Sequence, residues 1–272
     1  MRCWVNGTLN AAVSVADRGL QYGDGLFETI AVRHRHIALL ERHLARVARG
    51  CERLGISGVP LEGLRTELQR AADEPAVGVI KLIVTRGPQR RGYRPDQDTL
   101  PTRIITTYPA PGYPPEWGAT GVELRVCATR LAEQPQLAGL KHLNRLEQVL
   151  ARREWSGSVP QEGLMLDTAG RVMGGTMSNV FARIAGQLVT PSVDRCGVAG
   201  VVRATVLTLA ESLGMDCLQR ELALEELLEA EEIFLTNALI GIWPVARLVN
   251  HSFRVGAASL ELAAGLEKLR AQ

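Results

Sequence analysis

QPQLAGLKHLNRLEQVL, residues 134–150, holds the residue on which the reading of this chain turns. Of the 31 basic residues, only Lys81, Lys141 and Lys268 are lysine. A sequence that writes arginine almost wherever it needs a positive charge has kept lysine between Leu140 and His142. A guanidinium stays protonated at any usable pH, so it serves neither as nucleophile nor as base. An amine that is desolvated, or set near other cations, can lose its proton and condense with a carbonyl. A compositional bias that three lysines escaped is the alternative. Lys268, in GLEKLRAQ, fits that alternative as a solvated charge on a terminal helix. Lys81, in VGVIKLIVTRG, fits it if it points from a strand to solvent.

The flanks place Lys141 in a loop. Upstream, VELRVCATR reads as a strand. Downstream, NRLEQVLARREW reads as a helix with Asn144 as N-cap and Glu147 three residues on, a capping-box pattern. Gly139 permits close backbone approach. Functional groups commonly project from such a position at an element end.

Further out the pattern is of mixed strands and helices. WVNGTL carries an Asn-Gly pair between β-prone segments, which predicts a tight hairpin. GLFETIAVR alternates Leu26, Glu28, Ile30 and Val32 against Phe27, Thr29 and Ala31, the signature of a half-buried strand. LLERHLARVARGCERLG sets Leu40, Leu44, Val47, Cys51 and Leu54 at helical spacing, and Gly55 can close the helix. LEGLRTELQRAAD reads as a second helix. VGVIKLIVTRG and TRIITTYPA read as strands. PAPGYPPEWG, residues 109–118, holds four prolines in ten residues and is the best linker candidate. Beyond it, LMLDTAGRVM and NVFARIAGQLVTP read as hairpins turning at 168–170 and 185–186. VVRATVLTLAESLG reads as a helix, EIFLTNAL as a strand and AASLELAAGLEKLRA as a closing helix. The expectation is two α/β domains: residues 1–110, a Pro-rich linker at 111–118, and residues 119–272 carrying Lys141.

A hydrophobic content of 46% and a net charge of +2 describe a soluble globular chain. They give no sign of a nucleic-acid or membrane partner. No apolar run approaches the ~18 residues of a membrane span, and MRCWVNGTLN lacks the apolar core of a signal peptide. The cysteines, Cys3, Cys51, Cys127, Cys196 and Cys217, are odd in number and far apart, which favours free thiols in a reducing cytoplasm. His34 and His36 fall where a strand should turn and read as turn surface; no metal site is expected.

DRGLQYGDGLFETI, ERHLARV, TRGPQRRGY, LAGLKHLNRLEQVL, GTMSNVF, GVAGVVR and LTNALIGIWPV occur in the order and spacing of the class IV pyridoxal-phosphate enzymes, and the chain resembles that family nearly end to end. The family includes branched-chain and D-amino-acid aminotransferases and aminodeoxychorismate lyases. LAGLKHLNRLEQVL, YGDGLFET and RRGY look most like the lyases. The resemblance implies the two-domain mixed α/β (α+β) fold of these enzymes, pyridoxal 5'-phosphate as cofactor and Lys141 as the residue that binds it covalently. That would explain the retained lysine, since a Schiff base needs a primary amine.

It further implies that Arg46, Gly200, Val201, Thr236 and Asn237 serve the cofactor phosphate. Gly200 and Val201 open a helix whose free N–H groups suit an anion; for Thr236 and Asn237 a plain turn role is equally open. Arg91 and Tyr93 match the substrate-carboxylate position, with a solvated basic loop as the alternative. Thr29 matches a lyase threonine on the inward face of its strand, where it could orient substrate and steer elimination. The family's glutamate opposite the pyridine nitrogen falls at Gly174, and no carboxylate lies nearer in sequence than Asp167. What the resemblance implies overall is a homodimer acting on a small molecule, 4-amino-4-deoxychorismate. An aminotransferase on D- or branched-chain amino acids is the alternative. A non-catalytic cofactor-binding protein is a third, on account of Gly174.

Overall fold

The computed structural model describes residues 1–96 and 100–271. They group into two compact units, one of Met1–Gly112 with Lys141–Asn144 and Arg270, the other of Tyr113–Leu140 and Arg145–Leu269.

The first unit contains β1 (Cys3–Val5), β2 (Thr8–Leu9), α1 (Arg18–Tyr22), β3 (Gly25–Arg33), β4 (His36–Ile37), α2 (Leu40–Leu54), α3 (Leu61–Ala72), β5 (Val79–Thr85) and β6 (Thr102–Tyr108). The strands form an antiparallel sheet in the order β2-β1-β6-β5-β3-β4. Asn6 and Gly7 both take positive φ, as do His34 and Arg35, so each hairpin turns where the sequence suggested. Leu44 and Val47 of α2, Leu64 and Leu68 of α3, and Ile30, Ile80 and Leu82 of the sheet are buried together as its core. Gly55 ends α2 in the left-handed conformation, its N–H reaching the last carbonyls.

The second unit contains α4 (Glu116–Thr120), β7 (Val122–Leu131), α5 (Leu146–Arg152), β8 (Glu162–Asp167), β9 (Val172–Gly175), β10 (Asn179–Ile184), β11 (Gln187–Pro191), α6 (Val201–Ser212), β12 (Cys217–Arg220), α7 (Leu224–Leu228), β13 (Glu232–Asn237), β14 (Gly241–Leu248), β15 (His251–Ser252) and most of α8 (Ala257–Arg270). Its mixed sheet runs β12-β11-β10-β13-β14-β7-β8-β9, with β15 on β14, and curls so that β9 touches β10. The buried rings of Phe181 and Phe234, on paired strands, stack 5.1 Å apart. No helix among the described residues is long and apolar enough to cross a membrane.

Two local expectations change. Residues 141–143 pair with β3, and 141–144 group with the first unit, not with the C-terminal half. The capping box of NRLE does not form: α5 begins after Arg145 with no side-chain cap. Asn144 instead gives its amide to Gly23 O at 3.2 Å, and Glu147 accepts from Ala132 N at 2.8 Å. Both side chains are spent tying the lysine loop to its neighbours.

Candidate active site

Lys141 is held by its backbone. Phe27 N donates to Lys141 O at 2.9 Å and Leu143 N to Gly25 O at 3.0 Å, so residues 141–143 add a short strand to the free edge of β3. Strand alternation then decides which groups share a face. Phe27 and Thr29 point one way, and Lys141 Nζ lies 4.3 Å from the Phe27 ring centroid. Lys81 is the direct cross-strand partner of Thr29, and its Nζ lies 5.5 Å from that same ring. Thr29 is half-buried, on the face opposite the one that packs on α2 and α3.

The other face of β3 carries Glu28, a carboxylate in the middle of the apolar stripe Leu26, Ile30 and Val32 and itself fully buried. It receives His43 Nδ1 at 2.7 Å and Arg46 Nε at 2.7 Å, with Arg46 Nη2 on its second oxygen. Burial alone would raise the Glu28 pKa; the charges and hydrogen bonds of His43 and Arg46 outweigh it and hold the carboxyl down at about 2. Arg46 is thus set apart from Arg42, Arg49 and Arg53, with its side chain only 10% exposed.

Arg91 and Tyr93 lie in an exposed loop, Tyr93 being 87% exposed. The loop is nonetheless anchored. Buried Arg18 donates to Gly92 O at 2.7 Å and Tyr93 O at 2.9 Å, and the Tyr22 and Tyr93 rings sit 5.5 Å apart. Asp24 holds Arg18 and Arg86 together. Against the upward push of burial, those two guanidinium groups lower its pKa.

In the second unit Gly200 and Val201 open α6, which has no side-chain cap, so its first N–H groups have no intrahelical partner. A Cβ on Gly200 would lie 2.1 Å from Asn179 Oδ1, so a larger residue there would have to displace the Asn179 side chain. Asn179 is in turn the cross-strand partner of Thr236. These residues therefore converge, and the Thr236 hydroxyl is buried with no hydrogen-bond partner. Asn237 turns its side chain to its own turn, accepting from Leu239 N at 2.7 Å and Ile240 N at 3.1 Å and donating to Met177 O at 3.1 Å. An orphaned hydroxyl beside an uncapped helix start suits an oxyanion such as a phosphate.

Gly174 lies in β9, paired with Met165. The carboxylate closest to this stretch is Glu162, not Asp167: a Cβ on neighbouring Gly175 would fall 2.8 Å from Glu162 Oε2. The 12-residue sequence gap to Gly174 hid this. Glu162 accepts from Gly163 N, Thr176 N, Thr176 Oγ1, Met177 N and Ser178 Oγ. These five donors exceed the roughly four lone-pair sites of a carboxylate. Asp167 is likewise occupied by Ala169 N, Arg171 N and Arg171 Nε. Glu162 has no acceptor capacity to spare, and Asp167, with three donors, keeps about one site.

Glu28, His43, Lys81, Asn179 and Glu162 were not picked out by sequence reading. A signal existed for two of them: Glu28 breaks an apolar stripe, and Lys81 interrupts the run VIKLIVT. A charge at such a position needs a partner.

The model of class IV amino-transferases matches residues 25–248, and the chain belongs to this family. It is 37% identical over 248 residues to the aminodeoxychorismate lyase of Vibrio harveyi, covering 89% of this chain and 90% of that protein. It superposes on the crystal structure of 4-amino-4-deoxychorismate lyase from Pseudomonas aeruginosa with a TM-score of 0.94 and 51% identity over 98% of both chains. The D-alanine aminotransferase of Bacillus licheniformis is 28% identical over 265 residues, 94% of this chain and 92% of that protein.

Proposed function

We propose that this enzyme is a lyase that converts 4-amino-4-deoxychorismate to 4-aminobenzoate and pyruvate, with pyridoxal 5'-phosphate held at Lys141. The observation that carries the reading is the placement of the Lys141 amine over Phe27, on the sheet face of Thr29, in a chain so close to named lyases. Bound there, the cofactor supplies a sink for electrons released at the amine-bearing carbon of the substrate. Lys141 Nζ takes the proton from that carbon. The bond from the neighbouring ring carbon to the enolpyruvyl oxygen breaks, and the enolpyruvate takes a proton at its methylene carbon to leave as pyruvate. Thr29 orients the leaving group; Arg91 and Tyr93 are assigned to a substrate carboxylate, that of the enolpyruvyl group. An aminotransferase would instead exchange amino groups between an amino acid and a keto acid. Keto-acid-dependent turnover of D-alanine or a branched-chain amino acid, without aminobenzoate from the aminated chorismate, would replace this reading.

Arg46, Gly200, Val201 and Thr236 are assigned to the cofactor phosphate. The orphaned Thr236 hydroxyl supports this and gives a sharp test. Thr236→Val removes no protein hydrogen bond, so apoprotein stability should stay within about 1 kcal/mol of wild type or rise. Cofactor affinity, measured by fluorescence titration, should fall about tenfold. An unchanged affinity would remove Thr236 from the site.

The assignment of Gly174 to the pyridine nitrogen leaves that atom without a carboxylate to keep it protonated. Expulsion of enolpyruvate and gain of aromaticity would draw electrons away from the amine-bearing carbon without a strong sink, so a lyase would tolerate this better than a transaminase. Gly174→Glu should speed aminobenzoate formation by about ten- to a hundredfold, the worth of a charge-assisted hydrogen bond of about 1.5–3 kcal/mol. The new Cβ would meet Ser178 O at 2.8 Å, so the variant should also lose stability. Steady-state rates that do not move would show that the nitrogen does not depend on position 174.

A homodimer belongs to the same reading. It is supported by Leu146, Val149 and Leu150, which form one stripe of α5 and are 76%, 52% and 51% exposed; apolar stripes of this kind mark interfaces. Light scattering at micromolar concentration should give the mass of two chains, and a single-chain mass would contradict it.

A further inference from the structure

We propose that Lys81 is a specificity-determining residue, whose ammonium group holds the ring carboxylate of the substrate while Lys141 works at the amine-bearing carbon. The substrate named here rests on the lyase reading; the carboxylate chemistry does not.

Lys81 stands mid-strand in β5, in an apolar run, half-buried. The other charges in the middle of these strands have ion partners on the helix side of the sheet: Glu28 with Arg46 of α2, and Arg103 with Glu67 of α3. Lys81 points the other way, and among the described residues it makes no hydrogen bond and no ion pair. Its neighbours are the facing residues Thr29 of β3 and Thr106 of β6 and the ring of Phe27. With three donors and no protein acceptor, the Lys81 ammonium presents an unmatched positive charge on this face. A carboxylate ligand would meet it with a charge-assisted bond.

Position argues the rest. Both Lys81 Nζ and Lys141 Nζ approach one ring, at 5.5 and 4.3 Å from its centroid, so they lie within one small-molecule length of each other. The ring carboxylate and the amine-bearing carbon of 4-amino-4-deoxychorismate stand para across a six-membered ring. An ammonium at the carboxylate end and a proton-accepting amine at the other match that substrate, and Thr29, paired with Lys81, lies on the same face.

The test compares 4-aminobenzoate with its neutral analogue 4-aminobenzamide, binding to holoenzyme, for wild type, Lys81→Met and Lys81→Arg. Methionine keeps the apolar stem without the charge, and arginine keeps the charge. Wild type should prefer the carboxylate. Lys81→Met should weaken 4-aminobenzoate by about ten- to a hundredfold and leave 4-aminobenzamide unchanged, with the cofactor absorbance band intact. Lys81→Arg should recover most of the preference. In turnover, Lys81→Met should raise KM by the same factor and move kcat far less. Equal binding of the two ligands by wild type, or a carboxylate affinity in Lys81→Met that matches wild type, would overturn the proposal. If wild type forms no 4-aminobenzoate from aminodeoxychorismate, the lyase reading fails, and the binding comparison still decides the role of Lys81.

Discussion

Lys141→Ala is expected to abolish the visible absorbance band of the lysine-bound cofactor and to cut turnover by more than about 10⁴-fold. Lost proton transfer alone accounts for roughly 10²–10⁴, and lost covalent attachment adds to it. The fold should survive. Residues 141–143 join β3 through backbone groups of Lys141 and Leu143, which alanine retains, and the lysine side chain is only half-buried. Far-ultraviolet circular dichroism should therefore match wild type while the visible band is gone. A variant that keeps the band after dialysis would move the attachment to another residue. Lys141→Arg should be equally inactive, because charge is not what the position supplies.

Glu28→Gln should produce the largest loss of stability among single substitutions near the site. It leaves the Arg46 guanidinium without its counter-charge in a buried position, which costs about 3–5 kcal/mol. Denaturant midpoints of wild type and variant measure this directly. A pH series separates the charge from mere packing. The Glu28 carboxyl is held at about 2 in the fold against an ordinary 4.5. Between these values the unfolded chain binds a proton that the folded chain does not, so stability rises with pH across that window. The contribution is complete above pH 4.5 and is lost as pH falls through 2, amounting to about 3 kcal/mol. Glu28→Gln should lack this acid slope. An identical slope in wild type and variant would place the acid sensitivity elsewhere. The same carboxylate fixes Arg46, so on the proposed assignment of Arg46 to the cofactor phosphate the variant should also release cofactor more readily.

Much of the architecture was legible because it follows local chemistry. Asn6-Gly7 and the turn at His34-Arg35 carry their hairpins in the residues that take positive φ, and the stripe from Leu44 to Cys51 gave α2 and its buried face. The lysine loop was legible from its flanks and from an amine in an arginine-rich chain. What stayed hidden depends on register and on contacts between distant segments. The Thr29–Lys81 pairing exists only once β3 meets β5, so the face that Lys81 shares with Thr29 was not legible. Asn144 fits the capping rule locally, yet a carbonyl 121 residues away takes its amide. Glu162 reaches the Gly174 stretch only through the β8–β9 pairing.

The most direct test of the account is to give purified enzyme 4-amino-4-deoxychorismate, with no keto acid present, and to follow 4-aminobenzoate and pyruvate together. Formation of the two in equal amounts, stopped by Lys141→Ala, is the expected result. No aminobenzoate, with amino-group exchange appearing only when a keto acid is supplied, would contradict it.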